Sequence, residues 1–177
     1  MRARSAGFGL LEVILVFAVI LGAAGVIFSV FHSAQVSAQA SSETQFVRTA
    51  SADAHSVFLN HNYVGISTWW NKAVAANAPM ARSPNGYSWS LKAYKNSGDC
   101  NDSACPSFWF TYFYRDGDMP EEVCQRLVED LSRDYFVNGA NMTGSTPTPI
   151  PPATAAQLCD RSASGGAPLF LSLVSPY

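Results

Sequence analysis

The sequence predicts an α+β protein, in which one long N-terminal helix precedes a head of antiparallel strands and short helices. Three observations predict it. Residues 8–31 form a nearly unbroken apolar run. The chain then stays free of Pro and Gly until Gly65 while keeping apolar residues at helical spacing. From residue 87 onward, alternating segments and turn residues take over. Composition agrees with this outline. The 177 residues suit one compact domain plus a membrane element. Hydrophobic residues make up 48% and charged ones 14%, which excludes a disordered or acidic-tail chain. Net charge is −2, with no basic stripe, so nucleic acid is not an expected partner.

The N-terminal run reads FGLLEVILVFAVILGAAGVIFSVF, and Glu12 is its only charged residue. At about 1.5 Å per residue it spans about 36 Å as a helix, enough for a bilayer core of about 30 Å. Arg2 and Arg4 precede it and would keep that end cytoplasmic. The remainder then faces the periplasm or the outside. Three readings compete for this segment. A secretory signal peptide has a plausible cleavage site at Ala38-Gln39-Ala40, giving a soluble domain from Ser41. Its apolar core is longer than the usual 7–15 residues or so. A plain signal anchor leaves Glu12 unexplained. The third reading is a prepilin-type leader.

The residues for the third reading are Gly7-Phe8-Gly9-Leu10-Leu11-Glu12-Val13-Ile14-Leu15, which resemble the start of the type IV pilins. The resemblance implies cleavage after Gly7 by a prepilin peptidase and methylation of the new N-terminal Phe8. Glu12 then becomes the fifth residue of the mature chain, where the family carries its glutamate. A carboxylate in a bilayer costs several kcal/mol at mid-depth and less near the end. A neighbouring subunit's free α-amine would offset it and set the axial register, which makes Glu12 an assembly residue. Losing the leader removes Arg2 and Arg4, so the charge goes from −2 to −4 before termini are counted. Within the span, Gly22, Ala23, Ala24 and Gly25 permit close helix packing, and the glycines also weaken the helix locally.

The next elements follow in order. Phe46, Ala50, Ala54, Val57 and Phe58 fall at helical spacing, so residues 32–60 read as an amphipathic continuation of the helix. Trp69, Trp70 and Val74 suit a short helix from about Ser67 or Thr68, read as a core wedge and a subunit contact rather than a ligand platform. Pro79, Pro84 and Asn85-Gly86 break it. Tyr87, Trp89, Leu91 and Ala93 alternate with polar residues, a half-buried strand. Cys100 to Cys105 brackets a polar turn. Residues 107–115 form a second strand, apolar on both faces and therefore central, closed by Asp116-Gly117. Asp118 suits an N-cap, with Pro120 in the first turn and Cys124, Leu127, Val128 and Leu131 on one face. Glu122–Arg126 and Glu129–Arg133 are spaced as i,i+4 pairs. Phe136-Val137 is a short strand, residues 143–156 a Thr- and Pro-rich surface loop, and Leu169 to Val174 a closing strand.

The second half extends the resemblance. Met119-Pro120-Glu121-Glu122-Val123-Cys124-Gln125-Arg126-Leu127-Val128, then Val137-Asn138-Gly139, then Ala156-Gln157-Leu158-Cys159, resemble the C-terminal half of the type IVb pilins of the PilS family. The likeness is weakest over residues 61–115. It implies the type IV pilin fold, an α/β roll in which the helix spine packs on an antiparallel sheet. The implied organisation is a leader at 1–7, a transmembrane or filament-core half-helix at 8–31, an amphipathic half at 32–60 and a globular head at 61–177. The implied partners are other pilin subunits, a prepilin peptidase, the inner-membrane pilus assembly machinery and the membrane itself. Implied roles are adhesion, aggregation or conjugative mating. A minor pilin or a type II secretion pseudopilin shares the leader.

Four cysteines allow three pairings. The family resemblance implies a Cys124–Cys159 disulfide; Cys100–Cys105 is the other favoured pair, a local clip that departs from the family's one-disulfide pattern. No catalytic motif, metal site or cofactor is expected. His32, His55 and His61 do not form an HExxH pair and read as polar-face residues of the helix. Asp116 and Asp118 lack EF-hand spacing. Ser164-Gly165-Gly166 lacks the Lys of a phosphate loop. Asn101-Asp-Ser and Asn141-Met-Thr match the glycosylation pattern.

Overall fold

The computed structural model describes residues 9–95, 98–100, 105–114, 119–137, 140–142, 144, 146–160 and 169–175. The protein is α+β, with a long N-terminal helix and a small antiparallel sheet. It divides into two units, Met1–Val36 and Ser37–Tyr177. Gly7, Phe8, Arg2 and Arg4, and with them the leader cleavage and methylation positions, lie outside the described residues. So do Asp116, Asp118, Asn101, Asn138-Gly139 and Ser164-Gly165-Gly166.

Helix α1 covers Leu10–Val57, and residues 22–25 are helical within it. In the second unit its inward stripe is Ala40, Glu43, Phe46, Val47, Ala50 and Ala54, all buried. Val57 was expected on this stripe but is 53% exposed, and the helix stops there rather than near Asn60. The cause is the turn that follows. His61 takes a left-handed φ of 50°, and Tyr63 N–H then donates to Cys105 O at 3.0 Å. Asn62 Oδ1 accepts from Cys105 N–H at 3.1 Å, so the chain is pulled off the helix axis towards the sheet.

Helix α2 covers Ile66–Ala75 and is entered through Gly65 at φ 87°, a conformation that favours glycine. Its end is a Schellman motif. Asn77, at φ 50°, donates its N–H to Val74 O, and Ala78 N–H donates to Ala73 O at 2.9 Å. The chain thus leaves the helix two residues before Pro79, which opens a one-turn 3-10 helix at Pro79–Ala81.

The five-stranded sheet is ordered β2-β1-β3-β5-β4, where β1 is Trp89–Lys95, β2 Gly98–Asp99, β3 Ser107–Tyr114, β4 Phe136–Val137 and β5 Leu169–Val174. All pairings are antiparallel. Strand β3 is central, pairing Trp89 with Tyr112 on one side and Trp109 with Val174 on the other. Pleating sends Trp89, Leu91, Ala93, Phe108, Phe110 and Tyr112 to one face, and all six are buried. Phe46 of α1 and Trp70 of α2 close over that face. Their ring centroids lie 6.4 Å apart, and Trp70 stands 6.0 Å from Phe110. Trp70 is therefore the core wedge, while Trp69 is half-buried.

Helix α3 covers Glu121–Leu131 and buries Val123, Cys124, Leu127, Val128 and Leu131. Pro120 occupies the N-cap position rather than the first turn, and no side chain caps the helix. Neither Glu122–Arg126 nor Glu129–Arg133 closes as an ion pair. Among the described residues the ion pair is Arg48–Asp134. Exposed i,i+4 pairs gain only a few tenths of a kcal/mol, which side-chain entropy readily cancels.

The segment read as a loop over 143–156 contains the start of helix α4, Pro152–Cys159. Pro152 pre-sets the helical φ at the first position, and ATAAQL supplies good helix formers. The approach to it is also tied down. Asn141 is 4% exposed, its Oδ1 accepts from Val137 N–H at 2.8 Å, and its Nδ2 donates to Thr148 O at 2.8 Å. A buried amide engaged at both ends is closed to glycosylation in the folded chain. Cys124–Cys159 and Cys100–Cys105 are both disulfide-bonded.

Candidate functional site

Among the described residues, two features of the fold stand out first. The first is the apolar stretch of α1. Leu10, Phe17, Ile20, Leu21, Ile27 and Phe28 are each more than half exposed, because the first unit offers them nothing to pack on. The stretch is long and apolar enough to cross a membrane. Its single carboxylate belongs to Glu12, the third helical residue, whose Oε2 accepts from Gly9 N–H at 3.2 Å. A first-turn carboxylate satisfies an orphan amide and faces the positive end of the helix dipole. Glu12 thus has an intrachain partner at its own helix start.

The second part is a pair of polar ties that lock the lower half of α1 into the head. Glu43 is fully buried. Its Oε1 accepts from Ser83 Oγ at 2.6 Å, from Asn85 N–H at 3.1 Å and from Asn85 Nδ2 at 2.9 Å. Its Oε2 accepts from Trp89 Nε1 at 3.2 Å. No cation touches it in this set, so neutral donors alone satisfy the carboxylate. That arrangement positions; it has no open face for a substrate.

His55 makes the other tie. Its Nδ1 meets Tyr63 OH at 2.5 Å and its Nε2 meets Ser175 Oγ at 3.3 Å. The ring stacks edge-on against Phe108 at 5.3 Å and lies 6.3 Å from His61. Burial pushes the His55 pKa below its ordinary value, and the neighbouring His61 pushes the same way. Burial raises Tyr63. The sequence reading of His55 as a polar-face residue is thus corrected: it joins the end of α1 to the end of β5. His32 is exposed, and His61 follows the helix end. A hydroxyl beside an imidazole resembles a nucleophile with its base. However, Ser175 is 2% exposed, the third member is a phenol, and its backbone N–H is engaged with Phe108 O. Nucleophilic attack needs a face open to substrate, which this hydroxyl lacks.

Among the described residues no group of three or more His, Cys, Asp or Glu could hold a metal ion. Sequence reasoning missed Glu43 and the role of His55. A signal for Glu43 existed: it sits three residues after Ala40 and four before Val47, so a carboxylate occupies the buried stripe. No comparable signal existed for Ser175, because its partner lies far away in the chain.

No protein-family model, no curated protein and no solved structure matches this chain.

Proposed function

We propose that the chain is the precursor of a type IVb pilin with the type IV pilin fold. It is a structural subunit cleaved after Gly7, methylated on Phe8, held in the inner membrane by α1 and then polymerised into a surface filament. The observation that carries this reading is the apolar half of α1, uncovered by its own chain and headed by the lone carboxylate of Glu12. Apolar surface of that extent needs lipid or other copies of the helix to cover it. In the filament the α-amine at Phe8 of one subunit pairs with the Glu12 carboxylate of another. The ties at Glu43 and His55 suit a structural role, since each fastens helix to head and neither opens to a substrate.

The secreted-domain alternative cuts after Ala40. Ala40 is 1% exposed in the helical stripe of the head unit, which favours retention of residues 37–40 in the mature protein. The experiment is the intact mass and N-terminal sequence of the protein expressed with a prepilin peptidase. A start at Phe8 carrying one methyl group supports the pilin reading. A start at Ser41 replaces it with a secreted domain.

A further inference from the structure

A polar hollow of about 410 Å³ opens between α1 and α3, lined by Ser41, Thr44, Gln45, Arg48, Asp130 and Arg133. Its volume falls in the range of about 300–1,000 Å³ typical of small-molecule sites. We propose that it binds a hydroxylated carboxylate, an acidic sugar.

The lining selects this chemistry. All six side chains donate or accept hydrogen bonds, so an acyl chain finds little apolar wall. Asp134 fixes Arg48 from outside the hollow through Nε at 2.8 Å and Nη2 at 2.6 Å. The Nη1 edge of that guanidinium stays open. Arg133 is exposed and makes no ion pair among the described residues. Two guanidinium groups on one hollow favour a carboxylate, which they grip through paired N–H donors. Asp130 supplies acceptors only and repels a second negative charge. A phosphate or sulfate dianion therefore fits poorly. A ligand whose carboxylate stands beside hydroxyl donors satisfies both halves, with Asp130 and Gln45 receiving the hydroxyls.

Thr44, 5% exposed, also borders the hollow, but its Oγ1 is closed off from solvent and takes no part in the binding. The site does not depend on the pilin reading, because all its residues lie in the second unit and none takes part in polymerisation as proposed.

The test uses the full-length ¹⁵N-labelled chain in amine-oxide micelles, which contain neither sugar nor phosphate. Sodium glucuronate, glucose, sodium acetate and sodium phosphate are titrated separately. The readout is the Arg side-chain signals and the amides of Ser41, Gln45 and Asp130. The expected result is a saturable response to glucuronate, with Kd on the order of 1 mM or tighter and the other three at least about tenfold weaker. Arg133→Gln weakens glucuronate by about tenfold or more, while Arg126→Gln, an exposed change on α3 outside the hollow, leaves it unchanged. Methyl β-glucuronide distinguishes the source. Equal binding points to a chain-terminal sugar, and binding of the free acid alone points to a free sugar acid. Equal response to acetate or phosphate reduces the hollow to a bare anion patch and overturns the proposal. So does an equal response to glucose, the lack of a saturable response, or glucuronate binding that survives Arg133→Gln with an unchanged amide spectrum.

Discussion

The indole N–H of Trp89, the first residue of β1, donates to the carboxylate of Glu43 on α1 at 3.2 Å inside the core. Helix and sheet thus meet through a buried hydrogen-bonded carboxyl group rather than through apolar contact alone. Ser83 and Asn85 approach the other oxygen of the same carboxylate. One side chain therefore fixes α1, the 83–85 turn and β1 against each other.

Glu43→Ala is expected to lower stability by about 3 kcal/mol or more, since it leaves several buried donors without an acceptor. Glu43→Gln should fall between the variant and the parent. Denaturant unfolding of the detergent-solubilised chain measures both. A loss below about 1 kcal/mol for the alanine variant would mean that the donors find other partners.

Acid should weaken the head through His55. Its folded-state pKa lies below the ordinary value of 6.5, chiefly because of burial, so the unfolded chain binds more protons. The stability it contributes is complete above that ordinary value. It declines as pH falls through it towards the depressed folded value. Melting temperatures at about pH 7.5 and about pH 5 should differ, and His55→Asn should shrink the difference. An undiminished pH response in that variant would assign the effect to other groups.

Cys124→Ser or Cys159→Ser should cost about 2–4 kcal/mol by freeing the chain between α3 and α4 in the unfolded state. The melting temperature of the oxidised variants tests this. The Cys100–Cys105 bridge closes a much shorter loop, so its removal should cost less.

The Arg48–Asp134 pair is half exposed on both sides, at 51% and 47%. Asp134→Asn should therefore change stability by less than about 1 kcal/mol. A larger effect, measured by the same unfolding curve at low and high salt, would show a network wider than the pair.

Glu12→Ala tests the assembly role. Under the pilin reading, leader cleavage continues and filaments are lost. Immunoblots of the processed chain and electron microscopy of the cells read the two outcomes separately. Normal piliation would count against charge pairing at Glu12.

The parts of the fold visible in the sequence were those set by local periodicity. The apolar run of α1, the alternation at Trp89 to Ala93 and the two-faced apolar character of β3 needed no knowledge of distant partners. Helix α4 was hidden because Thr and Pro dominate its approach, although Pro152 at the first helical position starts it. The end of α1 was hidden for another reason. Nothing near Val57 stops a helix, and the turn at His61 answers to Cys105, more than forty residues away. At the candidate sites, Glu12 stood out as a lone charge. The Glu43 and His55 ties did not, since their partners Trp89, on β1, and Ser175, just after β5, are remote in the chain.

The strand order β2-β1-β3-β5-β4 has a consequence for how the chain is made. Strand β4 does not pair with its predecessor β3; both wait for β5, which inserts between them. During translation, β3 therefore keeps an open, aromatic-rich edge from Trp109 to Tyr114 until residues 169–174 have left the ribosome. Such an edge is a template for mispairing with another chain. Truncations ahead of residue 169 should accumulate as aggregates, and a ribosome pause within the last strand should expose the nascent head to proteases.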